Sequence, residues 1–229
     1  MINLRLIYKI IGSLLFIEAT MLLLCLGVSL YYKENDTMPF VYSVLIAAGT
    51  GLGLRLLARK CDNTLSRRDA YIVVTLTWTV FSLFGTLPFL IGGYLHSFTD
   101  AFFETMSGFT TTGASIIDDV EALPHGILFW RSFTQWLGGL GIVFFTIALL
   151  PSLVGGSVKV FAAEATGPIK TKLHPRLSTS AKWIWVVYIC ITVLCCGSML
   201  LAGMDLFETR HCAMLAQGGS RYATSTQRL

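Results

Sequence analysis

The fold class this sequence predicts is an all-α polytopic membrane protein: an N-terminal helix hairpin followed by membrane–pore–membrane repeats, the second of them incomplete. Three observations predict it. Of 229 residues 54% are hydrophobic and only 13% charged, with a mean hydropathy of +0.68, and the apolar residues lie in runs long enough to span a bilayer. Between two such runs lies a stretch, Phe98 to Ser115, that is neither long nor uniformly apolar. A second stretch of the same design follows a later span.

The first expected span is Ile10 to Tyr32, preceded by Arg5 and Lys9 and carrying one acid, Glu18. It is too long for a signal peptide, and no small-residue cleavage site follows it. A carboxyl there is costly, so Glu18 is expected to hydrogen-bond inside the bundle or near an interface, with a transport role as the alternative. Lys33 to Met38 is a short polar turn, and Pro39 opens a second span to about Ala58, with Gly49, Gly51 and Gly53 placed for close helix contact. These two helices form a hairpin. Ala70 to Leu95 is the third span, with a kink expected at Pro88. Pro124 to Leu150 is the fourth; Trp130 and Trp136 read as interface anchors, and Gly138, Gly139 and Gly141 as a face for close packing. Trp183 to Gly203 is the fifth. The expected units are therefore 1–69 (hairpin and basic turn), 70–156 (first repeat), 157–182 (basic connection) and 183–229 (incomplete second repeat).

Within the short stretch, Asp100 to Gly108 suits about nine helical residues, roughly 13 Å of helix, which ends near the middle of a ~30 Å hydrocarbon core. Phe109 to Ser115 then has little helix preference and leaves carbonyls without helical partners. At membrane depth such backbone is tolerated only inside protein or along a watery path. The economical reading is a re-entrant pore loop: the half-helix points its negative end inward, and the carbonyls of Thr110, Thr111, Thr112, Gly113 and Ala114 replace the water shell of a cation. Gly113 supplies the backbone freedom this requires. An ordinary outer loop after a short amphipathic helix is the other reading these residues allow.

The segment from Asp205 to Gly219 overlays the first stretch without a gap: Asp205 matches Asp100, Phe207 matches Phe102, and Gly218 follows Asp205 by 13 residues as Gly113 follows Asp100. Two copies of span, half-helix and Gly-loop form a parallel repeat, which places a permeation site on the shared axis. A carbonyl-ringed pore needs about four such loops, from one chain or several.

Charge sets the orientation. The N-terminus, the 55–68 turn and the 159–182 connection hold 12 of the 17 Lys and Arg and fall on one side, which should be cytoplasmic, N-terminus included. The pore stretch then enters from outside, where Asp118, Asp119 and Glu121 would concentrate cations. The six cysteines are scattered without paired spacing, favouring buried apolar Cys over disulfides or zinc. The four histidines are dispersed, His96 and His125 reading as outer interface residues, and there is no nucleophile, metal or nucleotide signature, so no enzyme, cofactor or nucleic-acid partner is expected.

Phe102 to Ala114, reading FFETMSGFTTTGA, together with Trp130-Arg131-Ser132-Phe133 and Gln135 to Gly141, resemble the Trk/Ktr/HKT superfamily of potassium transporters, and within it the bacterial TrkH/TrkG potassium-uptake subunits. The resemblance covers residues 1 to about 219, including a helix pair before the first repeat. It implies repeats of potassium-channel type around a pseudo-fourfold pore, uptake across the inner membrane, and backbone carbonyls selecting potassium. Carried over by position, Thr110, Thr111, Thr112, Gly113 and Ala114 correspond to the first filter segment, with potassium at Thr111, Thr112 and Gly113, and Gln217, Gly218 and Gly219 to part of the second. It further implies a homodimer and a TrkA-like nucleotide-binding regulatory subunit on the cytoplasmic side.

The sequence departs from the family pattern as well. It stops soon after the second filter, without that repeat's returning helix or a third and fourth repeat. Arg210-His211-Cys212-Ala213 stands where the family has a Cys-His-Ala order, and Ser220-Arg221 precedes Tyr222 where an aromatic directly follows the Gly pair. The sequence thus reads as the N-terminal piece of a transporter. A truncated, non-conducting chain, inactive or acting only by associating with other subunits, is the alternative to an uptake subunit.

Overall fold

The computed structural model describes residues 4–58, 67–120, 122–141 and 174–201, and every described element is helical. They are α1 (Leu4–Tyr32), α2 (Thr37–Leu57), α3 (Arg67–Gly85), α4 (Leu87–Ile91), α5 (Phe98–Phe109), α6 (125–141) and α7 (His174–Leu201). Three stretches, Leu4–Tyr32, Thr37–Leu57 and Ile72–Ile91, are long and apolar enough to cross a membrane, and Trp185–Ser198 is a shorter apolar stretch within α7. The last third of the fourth expected span, most of the basic connection, and the second half-helix with Gln217, Gly218 and Gly219 lie outside the described residues.

α1 and α2 form the expected hairpin, closed by backbone contact. A Cβ at Gly12 would lie 2.8 Å from the Gly51 carbonyl oxygen, and one at Gly51 would lie 2.9 Å from that of Gly12. Only glycine allows so close an approach on both sides. Gly49 and Gly53, expected to share this role, face nothing within 4 Å. α3 lies against α1 through Ile7, Ile11 and Leu15, which pack on Ile72, Val73, Val80 and Phe84.

At the kink expected at Pro88 the helix is interrupted for one residue, Thr86, which itself keeps helical dihedrals (φ −72°, ψ −24°). Pro88 has no N–H for the carbonyl of Phe84, and the Phe89 N–H turns to Thr86 O (3.1 Å), so Gly85 O loses its helical donor. Trp130 from α6 fills the gap: its indole N–H donates to Gly85 O at 3.0 Å. That corrects the reading of Trp130 as an interface anchor, because the side chain is fully buried. Trp136 likewise points inward, donating to Thr192 Oγ1 of α7 at 3.1 Å while its own carbonyl accepts from Tyr188 Oη at 2.9 Å. An indole shut in against protein satisfies its N–H, and Trp130, buried, and Trp136, half-buried, stitch α3 and α7 to α6.

The main core joins both parts of the chain: Ala19, Leu22 and Cys25 of α1, Phe40 and Ala47 of α2, Phe89 of α4, Ala101 and Phe109 of α5, and Ile127, Trp130 and Phe133 of α6. Of the four described cysteines Cys25 is buried as expected, but Cys190 is exposed and Cys195 and Cys196 are half-buried, all as free thiols. Glu18 is buried, but neither carboxyl oxygen has a hydrogen-bond partner among the described residues, contrary to the hydrogen-bonded carboxyl expected there.

Candidate functional site: the half-helix and its loop

α5 is the expected half-helix, 12 residues or about 18 Å. It ends in a hydrogen-bond pattern that turns the chain back. Thr111 N–H donates to Gly108 O (2.9 Å) and Thr112 N–H to Ser107 O (3.0 Å), the paired bonds of a Schellman cap. The residue that reverses the chain in such a cap takes a left-handed conformation, and here it is Thr111, at φ +56°. Gly113 is left-handed too, at φ +73°. Two left-handed residues separated by one give the loop its sharp course, and glycine takes this geometry without the Cβ clash that threonine bears.

The loop is pinned from inside. Thr110 Oγ1 donates to Met106 O (2.7 Å) and lies 2.8 Å from Thr112 Oγ1, and Ser107 Oγ donates to Ala114 O (2.6 Å). The carbonyls of Thr110, Thr111, Thr112 and Gly113 accept no hydrogen bond from the described residues. Gly113 is buried, Thr110 and Thr111 are half-buried, and Thr112 and Ala114 are exposed. Of the five expected carbonyl donors to a cation, Ala114 is thus the one already engaged by the protein. Asp118 and Asp119 are exposed on the connection that follows, and Glu121 lies outside the described residues.

α6 approaches the helix end closely. A Cβ at Gly138 would collide with the Phe109 carbonyl and lie 3.0 Å from Gly108 O, and one at Gly108 would meet Thr134 Oγ1. Gly141 faces Trp78 of α3. Of the glycines expected to form a packing face, Gly138 holds the end of α5 and Gly141 lies against α3.

Two charged residues that were not singled out as site residues lie behind the loop. Glu104 and Arg131 form an ion pair through Arg131 Nε and are 1% and 3% exposed. The Glu104 carboxylate also accepts from Ser115 Oγ (3.1 and 3.2 Å to its two oxygens) and from the Ile116 N–H (3.0 Å). The sequence did carry a signal for them, opposite charges in two neighbouring segments of a membrane protein, which at membrane depth are expected to pair.

A second polar cluster lies where the α1–α2 turn meets the start of α6. Glu34 accepts from the His125 N–H (2.6 Å) and pairs with its ring Nδ1 (2.6 Å), and the His125 ring stacks on Tyr32 at 4.3 Å. Buried Asp36 accepts from Ser29 Oγ, and its other oxygen faces Gly126 in the first turn of α6. Two carboxylates at one helix N-terminus suit its dipole. Tyr94 sits near both, and burial first, then the Asp36 and Glu34 charges, push its phenol above the ordinary value.

A family model described as "TrkH: Cation transport protein" matches residues 37–220. The chain belongs to this TrkH family. It is 39% identical over 206 residues to the Trk system potassium uptake protein TrkH of Vibrio parahaemolyticus, covering 89% of this chain and 42% of that protein. To TrkH of Escherichia coli K12 it is 36% identical over 219 residues, 94% of this chain and 45% of that protein. To TrkG of the same organism it is 35% identical over 208 residues, 90% and 43%. The crystal structure of the potassium transporter TrkH from Vibrio parahaemolyticus superposes with a TM-score of 0.78 at 34% identity, covering 92% of this chain and 42% of that one. The chain therefore spans less than half the length of the TrkH relatives it matches. Membership of a family of cation transport proteins agrees with the expectation of a transporter rather than an enzyme.

Proposed function

We propose that this chain carries the first ion-selecting segment of a potassium-uptake pore, with potassium held by the carbonyls of Thr111, Thr112 and Gly113. One observation carries the reading: a half-helix ends at Phe109 and hands over to four carbonyls, Thr110 to Gly113, that no described group satisfies. At membrane depth, unsatisfied carbonyls at the negative end of a helix favour a dehydrated cation over any neutral occupant. The relatives' names as potassium uptake proteins support potassium as the ion. Gln217, Gly218 and Gly219 supply part of a second segment, and the remaining loops of the ring come from further residues or other subunits.

Asp118, Asp119 and Glu121 gather cations at the outer mouth, which agrees with an N-terminus on the cytoplasmic side. Uptake is inward across the inner membrane, and a homodimer with a TrkA-like regulatory subunit on the cytoplasmic face completes the proposal, on family resemblance alone. The test is complementation of a potassium-uptake-deficient strain. Growth at low potassium with the wild-type chain, and loss of potassium/sodium discrimination on Gly113→Ser, is the expected result. No growth with the wild-type chain would overturn conduction by this chain and leave the non-conducting reading.

A further inference from the structure

We propose that Glu104 and Arg131 are positioning residues for ion discrimination: together they fix the outer limb of the 110–116 loop. The inference rests on the reading of Thr110 to Gly113 as an ion-selecting segment. The loop has two anchored ends and a free arc. At its inner end the Schellman bonds tie Thr111 and Thr112 to the carbonyls of Gly108 and Ser107. At its outer end Ser107 Oγ holds Ala114 O, while Glu104 holds Ser115 Oγ and the Ile116 N–H. Ser115 Oγ in turn accepts from the Ile117 N–H at 3.2 Å. Among the described residues, the bonds that tie this outer end to the rest of the protein come from the α5 side chains Ser107 and Glu104, and Glu104 holds two of the residues. Between the anchors lie the carbonyls of Thr110, Thr111, Thr112 and Gly113.

Charge explains why the pair is needed. A carboxylate buried alone behind the loop would be costly and would add a full negative charge to the filter's field. Arg131 cancels that charge and leaves the remaining lone pairs of Glu104 aimed at the loop. The net result is a neutral brace, so Glu104 acts on where the carbonyls are rather than on how strongly the site attracts cations. Discrimination between cations of different radius depends on such placement, which needs support to within about 0.5 Å.

The experiment uses the full chain purified in detergent micelles, with amide exchange of peptides spanning 112–117 measured in potassium chloride and in sodium chloride at equal ionic strength. In the wild-type chain, potassium should slow exchange more than sodium does. Glu104→Gln, which leaves three donors facing one acceptor oxygen, should speed exchange roughly tenfold to a hundredfold and erase the potassium/sodium difference. Ser115→Ala, which keeps the ion pair intact, should move both readouts in the same direction by less. The double variant Glu104→Arg with Arg131→Glu separates positioning from mere pairing. It restores opposite charges, yet a guanidinium at position 104 has only donors to offer the Ile116 N–H, so protection and potassium preference should stay lost. Recovery of both in the double variant, or Glu104→Gln behaving as wild type, overturns the positioning role. Absence of a potassium/sodium difference in the wild-type chain itself overturns the filter reading, and this inference falls with it.

Discussion

Thr111 offers a direct test of how the end of α5 is built. It occupies a left-handed conformation at φ +56° while its side chain makes no hydrogen bond among the described residues. Replacing it by Ala or Gly therefore changes the backbone's conformational cost and little else, and both Schellman bonds, at 2.9 and 3.0 Å, remain available. A left-handed residue with a Cβ costs roughly 1–2 kcal/mol. Glycine avoids that cost but gives back about 0.4–1 kcal/mol through the greater freedom of its unfolded chain. Taking the middle of both ranges, Thr111→Gly should be more stable than Thr111→Ala by about 0.8 kcal/mol, roughly a fourfold difference in the folded-to-unfolded ratio. Reversible denaturation by SDS, followed by tryptophan fluorescence, measures the difference. If the Ala variant equals or exceeds the Gly variant, the left-handed cap is not the conformation this residue holds.

Three further variants have expected outcomes. Gly138→Ala drives a Cβ into the Phe109 carbonyl, backbone against backbone with no flexible atom to yield, so it should lose about 1–3 kcal/mol. Gly49→Ala on α2, which meets nothing within 4 Å, should be neutral or stabilising by up to ~1 kcal/mol, and equal stabilities for the two variants in the same denaturation assay would refute the close packing. Glu34→Gln removes the carboxylate that receives the His125 N–H and should cost about 1 kcal/mol at low salt. Because the pair is partly exposed, that loss should shrink at high salt, and a salt-independent loss would mean that shape rather than charge is at work.

What was legible in the sequence was governed by near neighbours. The half-helix was expected at 100–108 and found at Phe98–Phe109, because a short helical composition ending in Thr-Thr-Thr-Gly stops a helix without outside help. Gly113, expected to need backbone freedom, takes φ +73° for the same reason. Thr111 could not be foreseen, since a β-branched residue argues against the left-handed region and only the cap geometry of the whole turn places it there. Trp130 was misread because the carbonyl it satisfies is exposed by Pro88, 42 positions earlier, and joins it only once α3 and α6 pack. Glu104 has partners 11, 12 and 27 residues away, on a loop and a second helix. Its charge at membrane depth announced that it would pair, but its service to the loop depends on tertiary geometry.

The grip of the α1–α2 turn on α6 also bears on the order in which the protein is made. Glu34 leaves the ribosome 91 residues before His125, an interval on the order of 5–18 s at ordinary rates of synthesis. For most of that time both arms of the Gly12/Gly51 seam have been made, with two carboxylates at the turn between them and the helix they meet not yet synthesised. At the tip of a polar turn they can wait in water, where an unpaired acid costs little; the same two groups at mid-span could not. The helix that starts at this charged seat carries Arg131 and Gly138 to the back of the loop. The hairpin is thus a docking jig set up ahead of the part it receives.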